Sequence, residues 1–162
     1  MTKMNMNSPL NDKDYLLMRL FRQTHNAMMK VRARELAKYG LSRRQAAILQ
    51  IAGYTGGNVS AYKIARWIII EPHALVKVLS RMEAMGLVKR SIKRGVRRES
   101  KISLTEKGIE AYEKACILNS LHTIFSILSE RQFDEVFKIL ILIRNKSMQE
   151  AGIKTPLPYP PF

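Results

Sequence analysis

Apolar residues recur at helical spacing through most of this chain and change to strand-like alternation in one place. Leu17, Leu20, Phe21, Met28, Val31 and Leu36 mark one face of a long helix predicted from about Asp12 to Lys38, with Arg19, Arg22, Lys30 and Arg34 at wetter positions. Gly40 fits the left-handed residue past its end. Ser42 and Gln45 form a capping box, in which the hydroxyl and the amide satisfy backbone donors at the start of a second helix. That helix carries Ala46, Ala47, Leu49, Ile51 and Ala52 and breaks at Gly56, Gly57 and Asn58. Its small residues permit close approach to neighbouring helices, so a buried position is predicted.

Ser60 caps a short helix to about Trp67 with Ile64 and Ala65 inward, and Ile68, Ile69 and Ile70 make a β-branched connector. Pro72 suits a first helical position, where its fixed φ and missing donor cost nothing. The helix it opens runs to about Met85 and stops at Gly86, with Leu75, Leu79 and Met82 inward and His73, Ala74, Lys77, Ser80 and Arg81 towards the outside. Two short helices joined by a few residues make a helix-turn-helix. Leu87–Lys93 then alternates as a strand and Glu99–Leu104 supplies its partner, with Gly95 as the turn signal. Thr105 caps a long helix predicted to reach about Leu128 through Ile109, Tyr112, Cys116, Leu118, Leu121 and Ile124. Ser129 and Gln132 form a second capping box, opening a last helix with the stripe Phe133, Val136, Phe137, Leu140 and Ile143. Four prolines after Lys154 exclude regular helix from the tail, residues 153–162.

Charge changes this picture. The formal net charge is +15 over 162 residues, and it is concentrated. Residues 1–59 carry 10 Lys/Arg against 3 Asp/Glu, residues 60–101 carry 11 against 3, and residues 102–162 carry 7 against 7. Charge serving solubility alone would be shared by the last third. The excess predicts a polyanionic partner, nucleic acid ahead of an anionic membrane surface. It peaks between Lys89 and Arg98, where six of ten residues are Lys or Arg. The single cysteine, Cys116, excludes an internal disulfide, no apolar run approaches the roughly 20 residues of a membrane span, and the first ten residues have no signal-peptide core. A soluble, cytoplasmic chain is expected.

The helix-turn-helix, the Leu-Val-Lys-Arg strand with its basic wing, and Leu104-Thr-Glu-Lys-Gly108 opening the next helix follow in a familiar order. The chain resembles the multiple-antibiotic-resistance regulator (MarR) family of winged-helix transcription factors over nearly its whole length. Its most specific signals are Met82 to Val88 before the wing and the Leu-Thr-Glu-Lys-Gly run after it. The resemblance implies a mainly α fold with a small β-wing: a winged helix-turn-helix lobe at residues 41–105, and long N- and C-terminal dimerisation helices at 1–40 and 106–150. It also implies a homodimeric regulator, a repressor in the commoner case, whose two reader helices enter successive major grooves of a (pseudo)palindromic operator. The Pro72–Met85 helix becomes the reader, and Arg98 takes the place of the wing arginine that reaches the minor groove. Where the family usually has an Asp two residues earlier, this chain has Val96, while Arg94 and Arg97 keep the wing cationic.

The candidate double-stranded DNA contacts are Ser60, Lys63, His73, Ala74, Lys77 and Arg81 in the lobe and Arg94, Arg97 and Arg98 in the wing; Arg66 is a further phosphate candidate. The reader is sparing in Asn, Gln and Arg near its start, so shape and half-site spacing are expected to carry much of the selectivity. Candidate dimerisation residues are Leu17, Phe21, Leu121, Phe133, Phe137 and Leu140. Members of the family often bind small aromatic or phenolic effectors, for which Met18, His25, Met28, Tyr54 and Trp67 are the candidate lining, with plain core packing as the competing reading. Cys116 lacks an activating base and reads as a structural thiol. His25, His73 and His122 have no metal-ligand spacing, and no nucleophile–base arrangement stands out, so neither an enzyme nor a cofactor is expected. The competing function is a constitutive or architectural DNA-binding protein.

Overall fold

Side-chain caps open most of the helices. Asp12, Ser42, Ser60, Thr105 and Ser129 each accept a hydrogen bond from a backbone N–H in the first turn that follows, and Gln45 and Gln132 complete the two capping boxes. The structure, a computed structural model, describes residues 9–93 and 99–154. After a 3-10 turn, Pro9–Asn11, the elements are α1 (Lys13–Ala37), α2 (Arg43–Tyr54), β1 (Val59–Ser60), α3 (Ala61–Trp67), α4 (Pro72–Ala84), β2 (Val88–Lys93), β3 (Glu99–Leu104), α5 (Glu106–Ala115), α6 (Asn119–Phe125) and α7 (Glu130–Glu150). The fold is mainly α with a small antiparallel sheet of strand order β1-β3-β2. Val88 faces Leu104 and Lys93 faces Glu99 across β2 and β3, the pairing expected of the wing. β1 was not foreseen: two residues, Val59 and Ser60, pair with Ile102 and Lys101 and tie the start of α3 to the sheet.

One core holds the central lobe. Ile48, Leu49, Ile64, Leu75, Leu79, Met82, Val88 and Ile102 are all essentially sealed from water. They come from α2, α3, α4 and the sheet, so each face predicted to point inward does so.

The connector into α4 carries the one strained non-glycine residue of the described chain, Ile69 at φ +50°. The left-handed region costs a β-branched residue roughly 1–2 kcal/mol. Ile69 is 48% exposed, so its side chain returns only part of that through packing. Relief of strain, lost packing and the extra chain entropy of glycine are of similar size, and Ile69→Gly should therefore be neutral within about 1 kcal/mol. Urea unfolding checks this, and a loss above about 2 kcal/mol would mean there was no strain to relieve.

One expected element is corrected. The long helix predicted from Thr105 to about Leu128 is two helices, α5 and α6, broken at Cys116–Leu118. The cause is a buried pair on α1. The Arg32 guanidinium donates to Ala115 O at 2.6 Å and to Ile117 O at 2.5 Å, and Gln50 Nε2 donates to Ala115 O at 2.8 Å. Glu35 pairs with Arg32 and accepts from Ser120 N at 3.1 Å and from the Ser120 hydroxyl. A cation thus sits on the C-terminal carbonyls of α5 and an anion at the N-terminus of α6, each matching the charge of its helix end.

The two ends of the chain are under-packed. α7 has 21 residues and buries only Met148. Phe133, Val136, Leu140 and Ile143 remain exposed along its predicted stripe, with Ile139 and Leu142 beside them. Phe133 stacks on Phe137 at 6.2 Å and meets Phe125 edge-on at 6.0 Å, so the aromatic cluster is ordered within the chain. α1 buries Arg32, Glu35 and Leu36 near its end, whereas Leu16, Leu17, Met18 and Leu20 stay exposed; Phe21 and Leu121 are half-buried. None of the described helices is long and apolar enough to cross a membrane.

Candidate nucleic-acid interface

α4 is built to present a face. Pro72 sits at its first position, and the residues buried on it are Leu75, Leu79 and Met82, spaced four and three apart. The opposite side follows from the same geometry: His73, Lys77, Ser80 and Arg81 are exposed, while Ala74 lies half-buried on the flank. Arg81 forms no ion pair with a described residue. On α3, Lys63 is exposed. Ser60 is not available as a DNA contact in the way expected. It is 4% exposed, and its hydroxyl accepts from Lys63 N at 3.3 Å as the cap of α3. Arg66 is also committed. It donates to Lys154 O at 2.6 Å, beyond the end of α7, and its guanidinium lies 5.9 Å from the Tyr62 ring centroid. Tyr62, 60% exposed beside Lys63, had no signal in the periodicity.

The wing strand is clamped to the reader. Arg90 on β2 pairs with Glu83 on α4, through Nε at 2.6 Å, and donates to the Ser80 hydroxyl at 3.4 Å. That guanidinium holds the Glu83 carboxyl below its ordinary value. Arg90 therefore spends its charge within the lobe. The wing candidates Arg94, Arg97 and Arg98, with Gly95 and Val96, lie outside the described residues.

The run from Leu104 to Gly108 is the joint between reader and α5. The Thr105 hydroxyl donates to Gly86 O at 2.5 Å and accepts from Gly108 N at 3.0 Å, and Lys107 Nζ donates to Met85 O at 2.9 Å. Gly108 sits against the Leu87 carbonyl, where a Cβ would lie 1.9 Å from the oxygen. Thr105, Lys107 and Gly108 thus each have a local job, and the C-terminus of α4 is fixed to the first turn of α5.

Between α1, α2 and the α5–α6 elbow lies a cavity of about 640 Å³. Tyr54, Trp67 and Tyr112 give it aromatic walls, and Arg32 and Gln50 bring polar groups to it. Tyr54 and Trp67 meet edge-on at 6.2 Å. Tyr54 and Trp67 are two of the five residues expected to line an effector site. Met18 is exposed further up α1, Met28 is half-buried outside the cavity, and His25 lines a different cleft; from α1 the cavity takes Met29, Arg32 and Leu36 instead. Cys116 borders the same cavity. No cluster of three His, Cys, Asp or Glu among the described residues could hold a metal.

Residues 41–108 match the family model of a winged helix DNA-binding domain. Among curated proteins there is no significant sequence match. Among solved structures, the organohalide sensing transcriptional regulator RdhR in its 2,4-dichlorophenol bound form is similar at 24% identity and TM-score 0.83, over 100% of this chain and 99% of that one. AbsC, a MarR family transcriptional regulator from Streptomyces coelicolor, is similar at 22% identity and TM-score 0.78, over 85% and 96%. A mutant MarR from E. coli complexed with operator DNA shares 15% identity at TM-score 0.74, over 84% and 99%. At these identities the likeness is one of fold, and it extends beyond the lobe to the flanking helices. The chain therefore has the fold of the MarR-family regulators it is similar to, and its residues 41–108 match a winged helix DNA-binding domain.

Proposed function

We propose that the chain is a homodimeric, sequence-specific regulator of transcription that represses the promoter it occupies and is released by a small aromatic or phenolic effector. The observation that carries the DNA-binding reading is α4, with three residues sealed in the lobe and His73, Lys77 and Arg81 exposed, just ahead in sequence of the Lys89–Arg98 run where the chain's positive charge peaks. A solvated surface helix needs no such concentration of cations, whereas a phosphate-lined groove rewards it through counterion release. Residues 41–105 act as the reading lobe, and residues 1–40 and 106–150 as the dimer helices.

Lys77→Ala should weaken binding to the operator by roughly 1–3 kcal/mol and relax the preference at one base position. A mobility-shift titration against a footprinted site upstream of the chain's own gene measures both. A uniform loss with a salt slope smaller by about one would make Lys77 a phosphate contact instead. A protein that coats DNA without a bounded footprint would be architectural, and the repressor reading would fall.

Support for the dimer comes from α7. A 21-residue helix that buries one residue of its own chain gains little from tertiary packing, and isolated helices are marginal in water. Its neutral surroundings in the last third suit contact with a second copy rather than with DNA. Phe137→Asp should leave the lobe folded and convert the dimer to monomer by light scattering; a variant that stays dimeric would place the interface elsewhere. For the effector, the support is the aromatic-walled cavity, whose size suits a one-ring ligand. Loss of the DNA shift on adding 2,4-dichlorophenol or salicylate is the expected result, and a shift indifferent to a panel of phenols and aromatic acids removes the effector from the proposal.

A further inference from the structure

The last helix ends in a turn that aims the chain at the reading lobe. Gly152 takes φ +66°, its N–H donates to Gln149 O at 3.1 Å, and Ile153 N–H donates to Met148 O at 2.9 Å. These two bonds make a Schellman stop, which reverses the chain and brings Ile153 back beside Met148. Met148 is the one residue that α7 buries and Ile153 is half-buried, so this end of the helix is seated while the rest of it is not. The carbonyl of the next residue, Lys154, accepts from the Arg66 guanidinium at 2.6 Å, which fixes the exit of α7 on α3.

The surface around that exit is aromatic. The Tyr62 ring lies 5.9 Å from the Arg66 guanidinium, Trp67 follows Arg66 on α3, and Tyr54 meets Trp67 edge-on at 6.2 Å. Tyr54 and Tyr62 are exposed and Trp67 is half-buried. The sequence that leaves this point matches it. Residues 155–162, Thr-Pro-Leu-Pro-Tyr-Pro-Pro-Phe, carry no charged side chain in a chain of net charge +15. They include neither Gly nor Ser, the usual residues of a flexible solvated linker. Prolines restrict such a segment before it binds, so ordering it costs little, and Pro-rich segments characteristically dock on aromatic-lined surfaces.

We propose that residues 155–162 dock as an extended polyproline II strap on the surface that Tyr54, Tyr62 and Trp67 of the same chain provide. With three residues per turn, the strap presents Pro156, Tyr159 and Phe162 on one side. At about 3.1 Å per residue its eight residues span about 25 Å, roughly twice the diameter of a helix, which carries it from Arg66 across α3 to the end of α2. The bond between Arg66 and Lys154 tethers it there, so a contact too weak to hold a free peptide suffices. Tyr54 and Trp67 are also walls of the 640 Å³ cavity, and the strap therefore competes with an occupant of that cavity. This competition rests on the effector reading, whereas the docking does not.

The test uses the full chain. Trp67 is its only tryptophan, so tryptophan fluorescence reports on this surface alone. Tyr159→Ser combined with Phe162→Ser should raise acrylamide quenching of Trp67 about twofold, and Arg66→Ala should do the same by releasing the exit. Combining all three substitutions should add nothing further, since each set frees one strap. Tryptic cleavage after Lys154, followed by intact mass, should run about tenfold faster in either variant than in wild type. Quenching or cleavage unchanged by the tail substitutions would overturn the strap, as would effects of Arg66→Ala and the tail pair that sum. An excess of Trp67→Phe protein, which has an intact tail and no tryptophan, should leave quenching of the tail variant high. A return to the wild-type value would place the strap on a second copy and overturn the same-chain contact. In a ligand arm, 2,4-dichlorophenol should bind the tail variant about tenfold more tightly than wild type. Equal affinity would overturn the competition alone, and a phenol that binds neither protein would overturn the effector reading while the quenching result stands.

Discussion

Gly108→Ala should lower the unfolding free energy by about 3 kcal/mol or more, the largest loss expected of a methyl at any described glycine. Its Cβ would lie 1.9 Å from the Leu87 carbonyl oxygen and 3.0 Å from the carbonyl carbon. That oxygen is backbone and is held in place, since it accepts from Thr105 N at 3.2 Å. Relief requires α5 to slide away from the reader, which breaks the Thr105–Gly86 and Lys107–Met85 hydrogen bonds as well. Gly53→Ala is the matched comparison. Its Cβ would lie 2.4 Å from the Tyr112 ring, a side chain that can rotate, so the cost should stay near 1 kcal/mol. Urea midpoints at equal m-value rank the two, and a larger loss at Gly53 would refute the backbone contact as the controlling feature.

Glu35→Ala should cost about 3–5 kcal/mol, because it leaves the Arg32 guanidinium buried without its counter-ion and the start of α6 without its acceptor. The same group predicts an acid limb. Burial by itself would raise the Glu35 carboxyl, but the Ser120 hydroxyl and N–H and the Arg32 charge outweigh it and hold the value below the usual 4.5. A carboxylate favoured by the folded state contributes its full stabilisation above the unfolded value and loses it as pH falls through the lower folded one. Wild-type stability should therefore decline below about pH 4.5, and the gap between wild type and Glu35→Gln should narrow in that window. A gap that is constant from neutral pH down through that window would show that the carboxylate charge is not what holds the elbow.

What could be read from the residues alone had a repeating pattern or a local cap behind it. The α4 stripe of Leu75, Leu79 and Met82, the two capping boxes and the pairing of the two wing strands are set by neighbours three or four positions away, or directly opposite. The α5–α6 break could not be read in that way. It has no glycine or proline, and its cause lies more than eighty residues earlier, in two charged side chains three positions apart on α1. A cation and an anion at that spacing on the apolar face of a helix were the available signal. β1 is too short to alternate, and it exists because β3 offers an open edge. On α1 the expected lining, Met18, His25 and Met28, differs from the cavity's Met29 and Arg32 for a related reason: periodicity gives the face of a helix and not the height at which a neighbour crosses it. On the reader, exposure of His73 and Lys77 followed from geometry, whereas the withdrawal of Ser60 and Arg66 depended on partners, one local and one from beyond α7.

The joint at Thr105 and the elbow at Cys116 turn α5 into a gear arm. Ten residues at 1.5 Å each make an arm about 15 Å long, tied to α4 at one end and to α1 at the other. A tilt of about 10° at the elbow would carry the far end through about 2.6 Å, and α4 with it. In a two-fold pair the error enters twice, about 5 Å in a half-site span of about 34 Å, which is enough to put two reader helices out of phase with the grooves. The gearing ratio of such a protein is then written in the length of one short helix, and inserting or deleting residues in α5 would change how far the readers travel for a given disturbance at the elbow.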